Sequence, residues 1–149
     1  MILMADNTQK PITEVCAGDE VYYKTENGTF EITTVLLPPI MEYAWKYNQY
    51  DLSNGKSIIF SDEWNTYNKN IDNPYHSHFK LAIDDIIISK EGNFFTVTAY
   101  HKQLKNKKAT EYFRLITASG GYIVNDIPYQ VDLHRVEEEL SWEENQYYL

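Results

Sequence analysis

KLAIDDIIIS (80–89), NFFTVTAYH (93–101), TEYFRLIT (110–117) and GYIVNDIPY (121–129) follow one another with little between them. Each run is rich in β-branched and aromatic residues. They are separated by Glu91-Gly92-Asn93, by a lysine-rich stretch and by Ser119-Gly120-Gly121, all of which read as turns. Sequential strands with short joins predict an antiparallel meander over about residues 80–129. In the second run Phe95, Val97 and Ala99 share one face, and Phe94, Thr96, Thr98 and Tyr100 the other. Both faces are partly apolar, so both should be covered.

Outward from this block, residues 19–35 place two β-prone runs on either side of Glu26-Asn27-Gly28, which predicts a hairpin because Asn-Gly supplies the backbone angles of a tight turn. Pro38 and Pro39 suit the first turn of a helix, and Ile40, Tyr43, Ala44 and Tyr47 recur at helical spacing before Asn54-Gly55. A second short helix is expected from Ser61, whose hydroxyl can cap it, with Trp64, Tyr67 and Ile71 inward and Asn73-Pro74 as its end. Leu133, Val136 and Leu140 form a narrow apolar stripe on an acidic segment, which predicts a surface helix over about 132–145. The expected class is α+β in one domain spanning 1–149, its curved meander packed with short N-terminal helices.

A chain of 149 residues with 43% hydrophobic content can bury a core without covalent staples. Cys16 is the only cysteine, so no intramolecular disulfide forms and no cysteine cluster holds zinc. The apolar start of MILMADNTQK is too short for a signal peptide, and no run of apolar residues is long enough to span a membrane. These features predict a cytoplasmic protein, or a chain from which an export signal has been removed. The net charge of -9 argues against direct binding of duplex nucleic acid, which needs clustered cations. Much of that charge lies in residues 132–149, where Asp132, Glu137, Glu138, Glu139, Glu143 and Glu144 face Arg135 alone. Lys102, Lys105, Lys107 and Lys108 make the opposite pole.

The order of the C-terminal half resembles the nuclear transport factor 2-like superfamily, a cone-shaped α+β fold. The resemblance rests on FFTVTAYH, a charged turn, ATEYFRLIT, a glycine turn and Gly121-Tyr122-Ile123-Val124-Asn125-Asp126-Ile127, over about residues 61–129. Tyr122 stands where many members carry Trp, and the N-terminal hairpin replaces their long first helix. A lipocalin-like or other partly open β-barrel is the structural alternative. Members of the superfamily include hydratases, isomerases, ligand carriers and immunity proteins, so the likeness implies a shape and leaves the chemistry open.

Residue chemistry offers a few candidates. His76 and His78 alternate in sequence and could share a metal ion with a third ligand such as His101 or Asp84. Asp84 or its neighbour Asp85 must point inward if DDIIIS is regular, and a carboxylate in an apolar pocket serves as a general acid or base. Tyr100, His101 and Asp126 would be its partners in a pocket within the cone. Cys16 has no nearby histidine in sequence to activate it, which predicts a packed, apolar role. Thirteen tyrosines and three tryptophans exceed the needs of a small core, and such residues favour interfaces.

These observations point to a non-enzymatic interaction domain of immunity or inhibitor type. It would bind a basic protein partner through the acidic, tyrosine-rich surface of Glu137, Glu138, Glu139, Trp142, Glu143, Glu144, Tyr147 and Tyr148. The alternative is a small-ligand-binding protein or acid–base enzyme using Asp84, Tyr100, His101 and Asp126. A homodimer through the open sheet face is compatible with either, and no cofactor is expected.

Overall fold

The computed structural model describes residues 1–61 and 83–130. In chain order the elements are β1 (Ile2–Leu3), β2 (Gln9–Lys10), a single 3-10 turn (Ile12–Glu14), β3 (Glu20–Lys24), β4 (Phe30–Thr34), β5 (Ile40–Leu52), β6 (Ser57–Ser61), β7 (Ile86–Ile88), β8 (Phe94–Arg114), β9 (Gly121–Val124) and β10 (Ile127–Gln130). Among the described residues there is no α-helix, so the expected α+β class gives way to an all-β architecture. The helix expected after Ser61 and the acidic helix expected at 132–145 fall outside the described residues.

Among the described residues the strands form three antiparallel sheets: β10-β9-β1-β2, β3-β4, and β6-β5-β8-β7. The four C-terminal runs therefore do not form one meander. β7 and β8 belong to one sheet and β9 and β10 to another. The barrel alternative fails on the same observation, because the strands divide among three sheets.

Where a helix is expected over residues 40–54, the chain forms the 13-residue strand β5. Its apolar residues satisfy both periods. Ile40, Tyr43, Ala44 and Tyr47 mark a helical stripe, yet Ala44, Asn48, Tyr50 and Leu52 also alternate and are buried, while Met41, Tyr43 and Trp45 are exposed. Aromatic and β-branched residues favour the pleated form, and pairing with β8 from Ile40↔Arg114 to Leu52↔Val97 decides it. Asn54-Gly55 is the tip of the β5–β6 hairpin, where Gly55 has φ 81° and Leu52 N–H donates to the Lys56 carbonyl at 2.9 Å.

The lysine-rich stretch expected to turn is part of β8, a strand of 21 residues. The ladder absorbs the polar residues by slipping register between Ala44 and Lys46, between Tyr47 and Gln49, and between Asp51 and Leu52. A bulge adds a residue without ending the strand. The last slip also reverses the facing expected for the second run, because Val97 and Tyr100 both reach the core side, the latter stacked on Tyr50 at 4.5 Å.

The β3–β4 hairpin spans Glu20–Thr34, and its loop is Glu26-Asn27-Gly28, closed by Thr25 N–H donating to the Thr29 carbonyl. Gly28 carries the positive φ of 84°, the conformation of a three-residue hairpin loop with glycine in the left-handed position.

Two apolar clusters hold the sheets. One contains Tyr50, Leu52, Ile58, Ile87, Val97 and Ile127; the other contains Ile2, Val15, Val21, Val35, Leu115 and Tyr122. Tyr129 packs against both and stacks on Tyr122 with centroids 5.4 Å apart. Ile127 thereby carries β10 into the core of the long sheet. No helix among the described residues is long and apolar enough to cross a membrane.

Candidate functional site

Two hairpin tips converge where the sheets meet. The β5–β6 tip brings Leu52, Lys56, Ser57, Ile58 and Ile59, and the β9–β10 hairpin brings Val124, Asn125, Asp126, Ile127 and Tyr129, with Gln9 of β2 beside them; together they line an open groove of about 590 Å³. Leu52, Ile58 and Ile127 also belong to the core, so the groove has an apolar base, and its polar groups come from the hairpin tips. This volume lies in the range of pockets that hold small ligands or short peptides.

The β9–β10 tip is made by Asn125 and Asp126, with φ 48° and 71°. Two successive positive φ values define a primed two-residue turn, and Asn and Asp enter that region more readily than other side chains. Asn125 also ties down the first residue of the chain. Met1 N donates to Asn125 Oδ1 at 3.1 Å, and Asn125 N–H donates to the Met1 carbonyl at 3.0 Å. The start of β1 thus sits on the rim of the groove, next to the hairpin that ends in β10.

Ser57 links the groove to a polar cluster on the outer face of the long sheet. Its Oγ donates to Asp51 Oδ1 at 3.0 Å, Gln49 Nε2 donates to the same oxygen at 2.7 Å, and His101 Nε2 lies 2.8 Å from Asp51 Oδ2. The register explains the grouping, since Asp51 faces Ser57 across one ladder and Gln49 faces His101 across the other. Hydrogen bonds from Gln49, then from His101 and Ser57, hold the Asp51 carboxyl below the usual aspartate range. Serine and histidine both bond the carboxylate, on different oxygens. The histidine therefore does not stand between hydroxyl and carboxylate, as a hydroxyl nucleophile and its base require.

The sequence-derived pocket does not assemble. Asp84 is an exposed turn residue with φ 77°, whose N–H donates to the Val97 carbonyl. Tyr100 and His101 are successive residues of β8 and serve different faces, Tyr100 stacking on Tyr50 and His101 pairing with Asp51. Asp126 alone reaches the groove. His76, His78, Glu137, Glu138, Glu139, Trp142, Glu143, Glu144, Tyr147 and Tyr148 lie outside the described residues. Among the described residues no group of three His, Cys, Asp or Glu could hold a metal ion. Cys16, expected to be packed, is exposed, with Sγ 3.6 Å from the Glu14 carbonyl. Sequence reading missed Asp51, Ser57 and Lys56. Asn54-Gly55 is the signal that finds them: as a hairpin turn it sets Asp51 and Ser57 opposite each other.

No protein-family model matches the chain, and no curated protein matches it by sequence. The fold, however, has close likenesses among solved structures. A bacterial intein-like domain from Clostridium thermocellum superposes with a TM-score of 0.63 at 18% identity, covering 89% of this chain and 94% of that one. The gp41-1 intein gives 0.57 at 17% identity over 87% of this chain and 91% of its own. The Ssp DnaB mini-intein variant M86 gives 0.61 at 11% identity over 89% of each. The chain therefore has an intein-like fold. This overturns the nuclear transport factor 2-like resemblance: a strand order shared over a few runs does not fix which strands pair. The likeness also runs against the immunity or inhibitor reading, which rests on the acidic, tyrosine-rich surface, and against the ligand pocket within a cone.

Proposed function

We propose that this chain is an intein-like self-processing domain, acting in cis on peptide bonds of the polypeptide to which it is joined. The observation that carries this reading is the pairing of Met1 with Asn125. It sets the first strand beside the β9–β10 hairpin in one sheet, β10-β9-β1-β2. The start of the described chain and its β9–β10 hairpin therefore belong to one hydrogen-bonded layer. A reaction between groups on that layer gains the rate advantage of an intramolecular one. The likeness to three inteins or intein-like domains supports the same reading. The lone thiol, Cys16, is exposed and suits a reducing, cytoplasmic setting.

The groove beside Asn125 supplies the surroundings such a reaction needs. Its base is apolar, and Lys56, Ser57 and Asp126 offer a cation, a hydroxyl and a carboxylate at its rim. Attack on a peptide carbonyl develops negative charge on oxygen, which a cation or hydroxyl donor stabilises, and the departing amine must take up a proton. Cys16 sits in the turn before β3 and is not among the groove residues.

The test places the chain between two stable reporter domains and follows the fusion by intact-mass spectrometry, with and without added thiol. Severed or joined reporters are expected, and Asn125→Ala should slow their appearance by loosening β1 from the hairpin. A fusion that keeps its full mass under every condition would overturn the reading.

A further inference from the structure

The outer face of β5 carries aromatic rings where a solvated strand face ordinarily carries polar groups. Tyr43 and Trp45 are 56% and 59% exposed, and Tyr47 follows on the same face by the alternation of the strand. Among the described residues neither exposed ring stacks on another. Trp45 has no partner in the β5–β8 ladder; opposite it β8 runs through Asn106, Lys107, Lys108 and Ala109 before pairing resumes at Thr110. One step on, Lys46 and Lys105 stand directly across from each other, a like-charge pairing that destabilises a sheet. All four lysines are exposed, and none has an ion pair among the described residues. Glu111, the carboxylate across from Tyr43, is engaged by the Tyr43 hydroxyl at 3.3 Å. In a chain of net charge -9, this ribbon brings uncompensated cations beside open rings.

Rings beside lysines suit a nucleic-acid strand whose bases are unpaired, since each base has a face to stack and each phosphate a charge to neutralise. Spacing separates single from double strands. Alternate residues of β5 lie about 6.7 Å apart, roughly twice the 3.4 Å per phosphate along one strand of a duplex, so the row of rings matches a strand drawn out of helical stacking. We infer that this face binds a short stretch of single-stranded nucleic acid, with bases on Tyr43 and Trp45 and phosphates on Lys107, Lys108 and the opposed pair Lys46 and Lys105. A phosphate beside that pair relieves its repulsion. The acidity of the rest of the chain limits the contact to a few nucleotides without forbidding it, because charges more than about 8 Å away are largely screened at physiological salt. An acidic peptide satisfies the lysines, but its carboxylates give the rings nothing to stack. The inference goes beyond self-processing and does not rest on it, and none of these residues lines the groove.

Fluorescence anisotropy of a short labelled oligothymidylate, titrated with the full chain, tests it. The chain carries no fusion partner, so the result stands whether or not it processes itself. Binding should appear at low salt and weaken as salt rises. Trp45→Ala should weaken it about tenfold, through the loss of one base stack, and leave the salt dependence unchanged; Trp45→Tyr, which keeps a ring, should retain most of the affinity. Replacing Lys107 and Lys108 together, as Lys107→Gln and Lys108→Gln, should lower the slope of log K against log salt by about 1.4, two phosphate contacts at roughly 0.7 each. These side chains are exposed, so the substitutions leave the core intact. Four results would each overturn the inference: no binding at low salt, equal binding of a polyglutamate of the same charge, equal or tighter binding of the corresponding duplex, and wild-type affinity in Trp45→Ala.

Discussion

Asn48, fully buried on β5, accepts the backbone N–H of Gln103 on Oδ1 at 2.9 Å. Gln103 has φ 55°, in the left-handed region, at the point where the β5–β8 register slips between Tyr47↔Leu104 and Gln49↔His101. A residue pushed out of the ladder loses its backbone partner, and the acceptor facing it, buried on Asn48, needs a donor. The side chain of Asn48 takes the place of the missing carbonyl. Asn106 does the same for the next slip, donating to the Ala44 carbonyl at 3.2 Å and to Tyr112 Oη at 3.0 Å.

Asn48→Leu keeps the volume and removes the acceptor. We expect a loss of about 0.5–1.5 kcal/mol in urea unfolding, the net worth of one hydrogen bond. Faster exchange at the Gln103 amide should accompany it. A change below about 0.5 kcal/mol, the size of an ordinary surface substitution, would refute this role for Asn48.

These asparagines also explain what could be read in the sequence and what could not. Strand-forming runs at Ile86–Ile88, Phe94–His101 and Gly121–Val124 are visible because β-branched and aromatic residues crowd them. Their partners are not, since a strand carries little information about which sheet it joins. Over residues 40–52 the alternation is hidden by Asn48 on the buried face and by Tyr43 and Trp45, 56% and 59% exposed, on the open one. Polar inside and aromatic outside is the reverse of the pattern that marks a half-buried strand. The lysines of β8 mislead for a related reason: bulges carry polar residues through a strand that composition alone would break. As for the site, Asp126 was singled out in sequence, whereas Ser57 and Asp51 depend on a hairpin hidden by the helical reading.

The turn at Asn125-Asp126 holds two non-glycine residues at positive φ. Glycine is the favoured second residue of this turn type. Asp126→Gly should therefore stabilise the fold by about 0.5–1 kcal/mol, the relief of left-handed strain less the entropy of glycine. Urea midpoints of the two proteins check this. An unchanged or lower midpoint would show that Asp126 makes a stabilising contact that outweighs its strain.

Asp51 sets an acid limit. Its folded carboxyl titrates below the ordinary aspartate value because Gln49, His101 and Ser57 donate to the ionised form. The stabilisation is therefore present above the unfolded value of about 3.9 and is lost as pH falls through the lower folded value. Melting temperatures of wild type and Asp51→Ala should differ near neutrality and converge as pH falls below the ordinary aspartate range. A gap that stays constant over that range would show that the carboxylate contributes by packing alone.

Cys16 should react in the native state. It is exposed and bonded only weakly through sulfur, and access is one requirement for thiol chemistry. One equivalent of a chromogenic disulfide reagent should be consumed without denaturant, and Cys16→Ser should move stability by less than about 0.5 kcal/mol. Labelling that requires denaturant would contradict the exposed position.

At the alkaline end the tyrosines divide. Burial, with smaller contributions from Tyr100 and Asp85, pushes Tyr50 up to about 12, and burial pushes Tyr122 up to about 12. Tyr129, stacked on Tyr122, is raised further by the same cause. A phenolate deprived of water is disfavoured, so the folded chain keeps these protons where the unfolded chain, near 10, gives them up. The folded state then binds more protons than the unfolded one, and the stability these groups contribute, complete below about 10, falls as pH rises above it. Absorbance titration should show a second, late rise in tyrosinate coincident with unfolding as seen by circular dichroism. Tyr129→Phe, which removes a proton from this balance and keeps the stacked ring, should move that second rise to higher pH. If all tyrosines titrate together while the circular dichroism is still native, the packing of Tyr122 and Tyr129 between the two cores is wrong.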